Sequence, residues 1–577
     1  MDKKVTSIGG QALMEGVMMR GPTSMAMAVR NKDGFIEVDS VRLKPIRWYN
    51  KVPVLRGVVS FVESLYNGVN TITKSAQVVG DEDEKINNGG MIFAVCAGVL
   101  LAIGLFMLVP ELIASLIDGL IGHSVLLKSL IAGALRMIIF VAYLLIVSRM
   151  KDIRRTFMYH GAEHRTINCY ESGMELTVEN VQKCSTRHNR CGTTFLFIVM
   201  VVSILLFAIV NWILDLLIGD MLSGFVKKLV YFGIKLVILP FTAGISYEIL
   251  KGVAKLPDNI FAKILRAPGL ALQGLTTKIP DDDMAEVAIK SFLTVLKMEE
   301  NSAEPTRAFG NLELPDVRKY IIKRIGKEEV EADWILCDTL KCKRGDLPLI
   351  KYVSLADFGK IKSICDRRVS GEPLDYILGK SYFYGLEIKV NDSVLIPRME
   401  TELLVSEAIS AISDRYSSCV VLDLCTGSGC IAKALAVNTS ATVVASDISD
   451  DALADENLEG TSVTLIKSDL FDAFNPNSFD VIVSNPPYIR SGDINSLSAE
   501  VKHEPRIALD GGESGLDFYK RIVCSAPIYL KKGGCLLLEI GYDQAEPITR
   551  LMETFGFSGV KTLKDYDGND RIVIGKV

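Results

Sequence analysis

Ser484-Asn485-Pro486-Pro487-Tyr488 carries the clearest chemical content of this 577-residue chain. Two successive prolines stiffen a loop and remove two backbone N–H groups, while their carbonyls stay available as acceptors beside the Asn485 side-chain oxygen. Such a loop suits a substrate –NH2 on a planar group. An amide nitrogen is a poor nucleophile because its lone pair is delocalised into the carbonyl. Two acceptors holding both N–H bonds would aim that lone pair at an electrophilic methyl and stabilise the positive charge that develops. Tyr488 offers a flat face for stacking. The chemistry these residues imply is methyl transfer to an amide or amine nitrogen.

A methyl donor needs its own site. Asp423-Leu424-Cys425-Thr426-Gly427-Ser428-Gly429-Cys430 follows a short apolar run and leads into a helix. Gly427 and Gly429 let the backbone approach a nucleoside closely, a turn that NAD, FAD and S-adenosylmethionine proteins all use. The next strand ends in Asp447, whose carboxylate can accept both ribose hydroxyls. Lys467-Ser468-Asp469-Leu470 would then set Asp469 by an adenine amino group and Leu470 against the ring. With the Asn485 loop next in order, S-adenosylmethionine is the expected cofactor.

The surrounding elements must hold these loops at one sheet edge. Val420–Leu424, Val443–Asp447 and Val481–Ser484 read as short buried strands alternating with helices. That pattern predicts an α/β, doubly wound parallel sheet. Leu314 to about Gly379 is helix-rich, and Asn301–Thr306 is polar and helix-breaking, as a linker would be.

The first half differs in kind. Its apolar runs, roughly 91–117, 126–148, 194–218 and 226–250, each approach the ~20 residues needed to cross a bilayer. Arg136, Glu111 and Lys235 lie inside them and are expected to face a bundle interior. Residues 52–79 have the apolar spacing of an amphipathic helix at a membrane surface. The segment between spans two and three is rich in Arg and Lys, and the two short hairpins near 118–125 and 219–225 hold none. The positive-inside rule then puts both ends and the long central loop in the cytoplasm, making a multi-pass cell-membrane protein. The start, Met1-Asp2-Lys3-Lys4-Val5, has no apolar core behind its charges, so no cleavable signal peptide is expected. Twelve cysteines without a Cys-x-x-Cys pair suit a reducing compartment.

That central loop holds three of the five histidines. His160-x-x-Glu163-His164 has the inverted zinc-peptidase spacing, with both imidazoles one helical turn apart on the same face. His188 and Cys191 would complete a tetrahedral divalent-metal site such as zinc. The plainer reading is a basic juxtamembrane loop that meets lipid headgroups or phosphate, in a module that only anchors the second half.

Residues 310–577 resemble the glutamine N5-methyltransferase family that modifies peptide-chain release factors. The resemblance runs through Gly371-Glu372-Pro373-Leu374-Asp375-Tyr376, Leu395-Ile396-Pro397-Arg398-Met399-Glu400-Thr401-Glu402, the Asn485 loop, Glu504-Pro505-Arg506, Ala508-Leu509-Asp510-Gly511-Gly512, Gly515-Leu516-Asp517 and Gly568-Asn569-Asp570-Arg571. It implies a class I, Rossmann-like methyltransferase domain whose substrate is the glutamine of a Gly-Gly-Gln loop. It further implies catalysis and substrate binding at Asn485, Pro486, Pro487 and Tyr488, substrate contacts from Arg398 and Glu400, and cofactor contacts from Cys425, Thr426, Gly427, Ser428, Gly429, Asp447, Asp469, Leu470 and Asn485. Cys425 departs from a commoner glycine, Met399 from a usual proline, and Leu470 from an aromatic in some members.

Adenine-N6 methyltransferases of DNA or RNA use the same Asn-Pro-Pro-Tyr logic and are the alternative. From residue 391 onward there are 16 basic and 28 acidic side chains, a poor footprint for a phosphate backbone. A protein substrate and no direct nucleic-acid partner are expected.

Residues 1 to about 300 resemble the YqhQ-like group of bacterial membrane proteins through Gly9–Arg20, Tyr159-His160-Gly161-Ala162-Glu163-His164 and Arg187-His188-Asn189-Arg190-Cys191-Gly192, a likeness that implies no activity. The expected layout is a peripheral region at 1–90, a four-span module at 91–250 with its loop at 149–193, a juxtamembrane segment and linker at 251–310, a helical substrate-recognition domain at 311–390 and the methyltransferase domain at 391–577.

Overall fold

The computed structural model describes residues 6–44, 52–80, 88–116, 125–188, 191–218, 221, 224–255, 260–326, 329–414, 418–453 and 457–577. Met1–Val5, Asn189, Arg190 and the centres of both short hairpins lie outside them. The chain divides into two compact units, Met1–Leu312 and Glu313–Val577.

The first unit opens with four antiparallel strands, Gly9–Leu13, Gly16–Arg20, Ser24–Arg30 and Ile36–Arg42, paired in chain order. Their alternation buries Val17, Met19, Ala26, Ala28 and Val38 on one face. Two helices distant in sequence cover that face: Lys151–Glu171 through Tyr159, Ala162 and Ile167, and Asp282–Glu300 through Val287, Phe292 and Val295. A fully buried aromatic such as Phe292 contributes about 1.5–3 kcal/mol. The expected central loop is therefore mostly helix and belongs to a small α+β body outside the apolar helices. Residues 307–312, just past the expected linker, pair with the fourth strand through Ser40 and Glu37.

Among the described residues, four helices are long and apolar enough to cross a membrane: Phe93–Leu116, Val125–Val147, Gly192–Ile218 and Val226–Gly252. Two of their internal charges are buried. Arg136 is buried, donates to the Phe106 carbonyl at 2.7 Å and lies over the Phe207 ring, and the buried Lys235 pairs with Glu111. The amphipathic helix is Leu55–Val79; its Arg56 pairs with Glu248 of the last apolar helix.

In the second unit, helices Leu314–Ile325, Glu329–Leu340 and Leu355–Val369 form a small bundle. Arg368 at its end is buried between Glu331 and Glu500, both at 3.0 Å, which fixes the bundle to the catalytic domain. The sheet of that domain has seven strands, ordered Thr464–Lys467, Thr442–Asp447, Val420–Leu424, Phe479–Ser484, Leu530–Glu539, Asp570–Lys576 and Ser558–Lys564. Doubly wound connections are present, but the sheet is mixed: Asp570–Lys576 runs against its neighbours. The short turn at Asp565–Asn569 enforces this, because a hairpin that tight can only reverse the chain. Val420–Leu424 and Phe479–Ser484 lie side by side where the strand order reverses. Their C-terminal ends carry the glycine turn and the Asn485 loop, so both open into one crevice.

Candidate functional site

At the end of Val420–Leu424 the backbone turns through Cys425, Gly427 and Gly429 with φ of 63°, 55° and 75°. A Cβ at Gly427 would meet nothing within 4 Å, so the turn faces open space. The Asp447 carboxylate accepts the Gly427 N–H at 2.9 Å and the Ser449 N–H at 3.0 Å, which sets it beside the turn. Asp423 is fully buried beneath. Its Oδ2 accepts from Thr426 Oγ1 at 2.5 Å and Ala432 N at 3.0 Å, and its Oδ1 has no partner. Burial pushes its carboxyl up to about 7.

These residues fit S-adenosylmethionine. The group is cationic at sulfur and at its amine, and carboxylates surround a turn with room for a nucleoside. Leu470 is buried with φ 51° in the next loop, whereas the Asp469 carboxylate faces outward to Arg521 at 2.8 Å. Ser428 anchors the turn through its carbonyl, which accepts from the buried Asn457 side chain at 2.9 Å.

The second loop is held from three sides. Asn485 Nδ2 donates to Thr401 Oγ1 at 3.2 Å, and both side chains interact with the fully buried Glu539 carboxylate, whose Oε2 has no hydrogen-bond partner. With its nitrogen turned to Thr401, the Asn485 oxygen is left to accept from a substrate. Tyr488 O accepts from Gln544 Nε2 at 3.0 Å, and Ile489 pairs with Leu509 and Gly511. At Gly511 a Cβ would lie 2.7 Å from Tyr488 Cα and 2.8 Å from the Pro487 carbonyl oxygen, so only glycine permits this approach. Burial, then the Glu539 charge, pushes the Tyr488 phenol up to about 12, so it stays neutral.

Arg398 pairs with the buried Glu504, which also accepts the Ile396 N–H at 3.4 Å. Burial pushes the Glu504 carboxyl up against that pairing. Glu400 precedes helix Thr401–Ser413 and acts electrostatically on Glu539 and Tyr488. Sequence reasoning missed Glu539, Thr401 and Asp423 as site residues. Each is distant in sequence from the loop it supports or lies inside a strand, where spacing gives no signal.

In the first unit, His160, His164 and Cys191 converge, with their ligand atoms all within 4.8 Å of one another. His160 Nδ1 bonds the Thr276 carbonyl at 2.9 Å and His164 Nδ1 the Thr186 carbonyl at 2.6 Å. A carbonyl can only accept, so each Nδ1 carries the proton and each Nε2 keeps its lone pair. His188, expected as the fourth ligand, turns instead to Glu171, with Nε2 3.6 Å from its Oε2.

A model described as protein of unknown function (DUF1385) matches residues 52–298. The PrmC N-terminal domain matches residues 317–379, and the methyltransferase small domain residues 400–504. The release factor glutamine methyltransferase of Geobacter sulfurreducens is 41% identical over 269 residues, covering 45% of this chain and 94% of that protein. The uncharacterized protein YqhQ of Bacillus subtilis is 32% identical over 321 residues, covering 53% of this chain and 96% of that protein. A solved protein-(glutamine-N5) methyltransferase (release factor-specific) from Alicyclobacillus acidocaldarius is 30% identical, covering 33% of this chain and 98% of that one, with a TM-score of 0.21. The chain thus belongs, over its C-terminal half, to the release factor glutamine methyltransferase family and, over its N-terminal half, to the family of YqhQ.

Proposed function

We propose that the C-terminal unit methylates the side-chain amide nitrogen of the glutamine in a Gly-Gly-Gln loop of peptide-chain release factors. The observation that carries this reading is Asn485, at the end of the strand beside the glycine turn, with its amide nitrogen donating to Thr401 Oγ1 at 3.2 Å. S-adenosylmethionine, bound at Cys425–Gly429, Asp447 and Leu470, supplies an electrophilic methyl. Asn485 and the Pro486 carbonyl accept the two N–H bonds of the substrate amide. Tyr488 stacks on its plane, and the Asn485 oxygen stabilises the positive charge that grows on nitrogen. The proton leaves to water after transfer, so no general base is required. The acidic surface disfavours a nucleic-acid target.

The test is mass spectrometry of release factor and of oligonucleotides after incubation with the full chain in detergent and isotopically labelled cofactor. One labelled methyl on the Gly-Gly-Gln peptide is expected. Label on adenine alone would transfer the assignment to nucleic acid.

The apolar helices support a membrane module with both ends and the methyltransferase on the cytoplasmic side, where cofactor and release factor are found. Reporter fusions at each end check this. His160, His164 and Cys191 hold one divalent metal ion; two imidazoles and a thiolate favour zinc. Metal analysis of the full chain with and without His164→Ala tests that reading.

A further inference from the structure

The metal reading leaves one buried group without a role. Glu163 lies between the two histidines on helix Lys151–Glu171, and only 4% of its surface is exposed. Its carboxylate accepts the Gly10 N–H, while Oε2 has no hydrogen-bond partner and sits 3.9 Å from His160 Nε2. A buried carboxylate oxygen left unpaired costs folding free energy, so its retention needs a compensating use. Glu163 is not one of the three groups that converge. Three protein ligands with a carboxylate just outside them leave a fourth tetrahedral position open, which distinguishes reactive zinc sites from closed structural ones.

The carbonyls on His160 and His164 support the same conclusion. Thr276 and Thr186 orient both rings and raise the basicity of both Nε2 atoms. Cys191 is likewise oriented, since Thr193 N donates to its sulfur at 3.4 Å. The neighbouring strand supplies a place for substrate. Gly9–Leu13 is an edge strand whose second side pairs with no strand among the described residues. Gly9 and Gly10 are exposed, and Gly10 touches Glu163 directly. An extended peptide meeting the exposed Gly9–Gly10 end of that strand, where Gly10 touches Glu163, would present its carbonyls to the cluster. Cys191 immediately precedes the apolar helix Gly192–Ile218, so the cluster sits where that helix begins.

We propose that His160, His164, Cys191 and Glu163 form a hydrolytic centre that cleaves a peptide bond in an extended segment at the membrane surface; this rests on the metal reading above. Glu163 takes a proton from a water at the open position, and the water oxygen adds to the substrate carbonyl carbon. The C–N bond then breaks, and the proton passes from Glu163 to the leaving amine. The second proton of the water passes to the amine as the acid ionises, so the products are a carboxylate and an ammonium group, and nothing is oxidised or reduced.

The full chain, purified in detergent with zinc supplied, is compared with Glu163→Gln, His164→Ala and Cys191→Ser. Zinc content and dye release from fluorescein-labelled casein are measured. The thermal midpoint of the Met1–Leu312 unit, followed by circular dichroism, reports folding of the substituted unit, and methylation of a Gly-Gly-Gln peptide reports that of the other. One zinc per chain is expected in the wild type and in Glu163→Gln, with zinc lost from the other two. Casein cleavage is expected in the wild type and about 100-fold slower in Glu163→Gln. With cobalt in place of zinc, acetohydroxamate should change the visible spectrum by entering the open position. Zinc bound without casein cleavage, cleavage unaffected by Glu163→Gln, or a spectrum insensitive to hydroxamate each overturns the hydrolytic centre and leaves the metal reading standing. A wild-type chain that binds no zinc overturns both.

Discussion

The side-chain amide of Asn485 donates to Thr401 Oγ1 at 3.2 Å, and both side chains interact with the buried carboxylate of Glu539 at the end of the adjacent strand. An asparagine amide can flip by half a turn with little change in shape. A carboxylate that only accepts removes this ambiguity, turning the nitrogen toward Glu539 and the oxygen toward the crevice.

Glu539→Gln tests that relationship. A glutamine can donate as well as accept, so both orientations of Asn485 become permitted. We expect kcat for methylation of a Gly-Gly-Gln peptide to fall about 100-fold, the usual effect of losing one oriented polar group. KM for S-adenosylmethionine should change little. A kcat within twofold of the wild type would remove Glu539 from the positioning machinery.

Burial pushes Glu539 up to about 7. Its ability to orient Asn485 depends on ionisation, so methylation should rise as pH increases through about 7. Glu539→Gln should flatten that limb of the profile, measured as kcat between pH 5.5 and 8.5.

Asp423, likewise raised to about 7 from an ordinary 3.8, makes a stability prediction. The folded state holds this proton where the unfolded state has lost it. The contribution of Asp423 is therefore favourable at low pH and declines as pH rises towards 7. Across pH 5 to 8, the Tm of the wild type should drop relative to that of Asp423→Asn. A constant difference would show that Asp423 titrates normally.

Gly511→Ala places a methyl against Tyr488 Cα and the Pro487 carbonyl. Backbone cannot yield as a flexible side chain can, so the Asn485 loop must shift. Displacements of this order cost about 100-fold in rate. We expect methylation to collapse while the circular dichroism spectrum is retained.

Lys235 and Glu111 pair inside the apolar helices. Lys235→Met leaves a carboxylate without its cation and should lower the thermal midpoint in detergent. Pairing it with Glu111→Gln should restore most of the loss. If the double variant is no better than the single, the two side chains do not interact.

Local sequence determined much of this protein. The lengths of the apolar runs gave the four helices that can cross a membrane, because a bilayer sets a length that composition alone must meet. Strand–turn–helix punctuation around Gly427 and the two prolines at Pro486 and Pro487 revealed the chemistry, because backbone freedom and missing N–H groups are properties of residue type. Tertiary structure decided what lies between distant segments. It brought Glu539 and Thr401 to Asn485 and turned His188 away from His160, His164 and Cys191. It also assembled one small body from the first four strands and two helices more than a hundred residues further on. Those outcomes depend on which buried polar group finds which partner, and a partner distant in sequence leaves no periodicity or spacing to read.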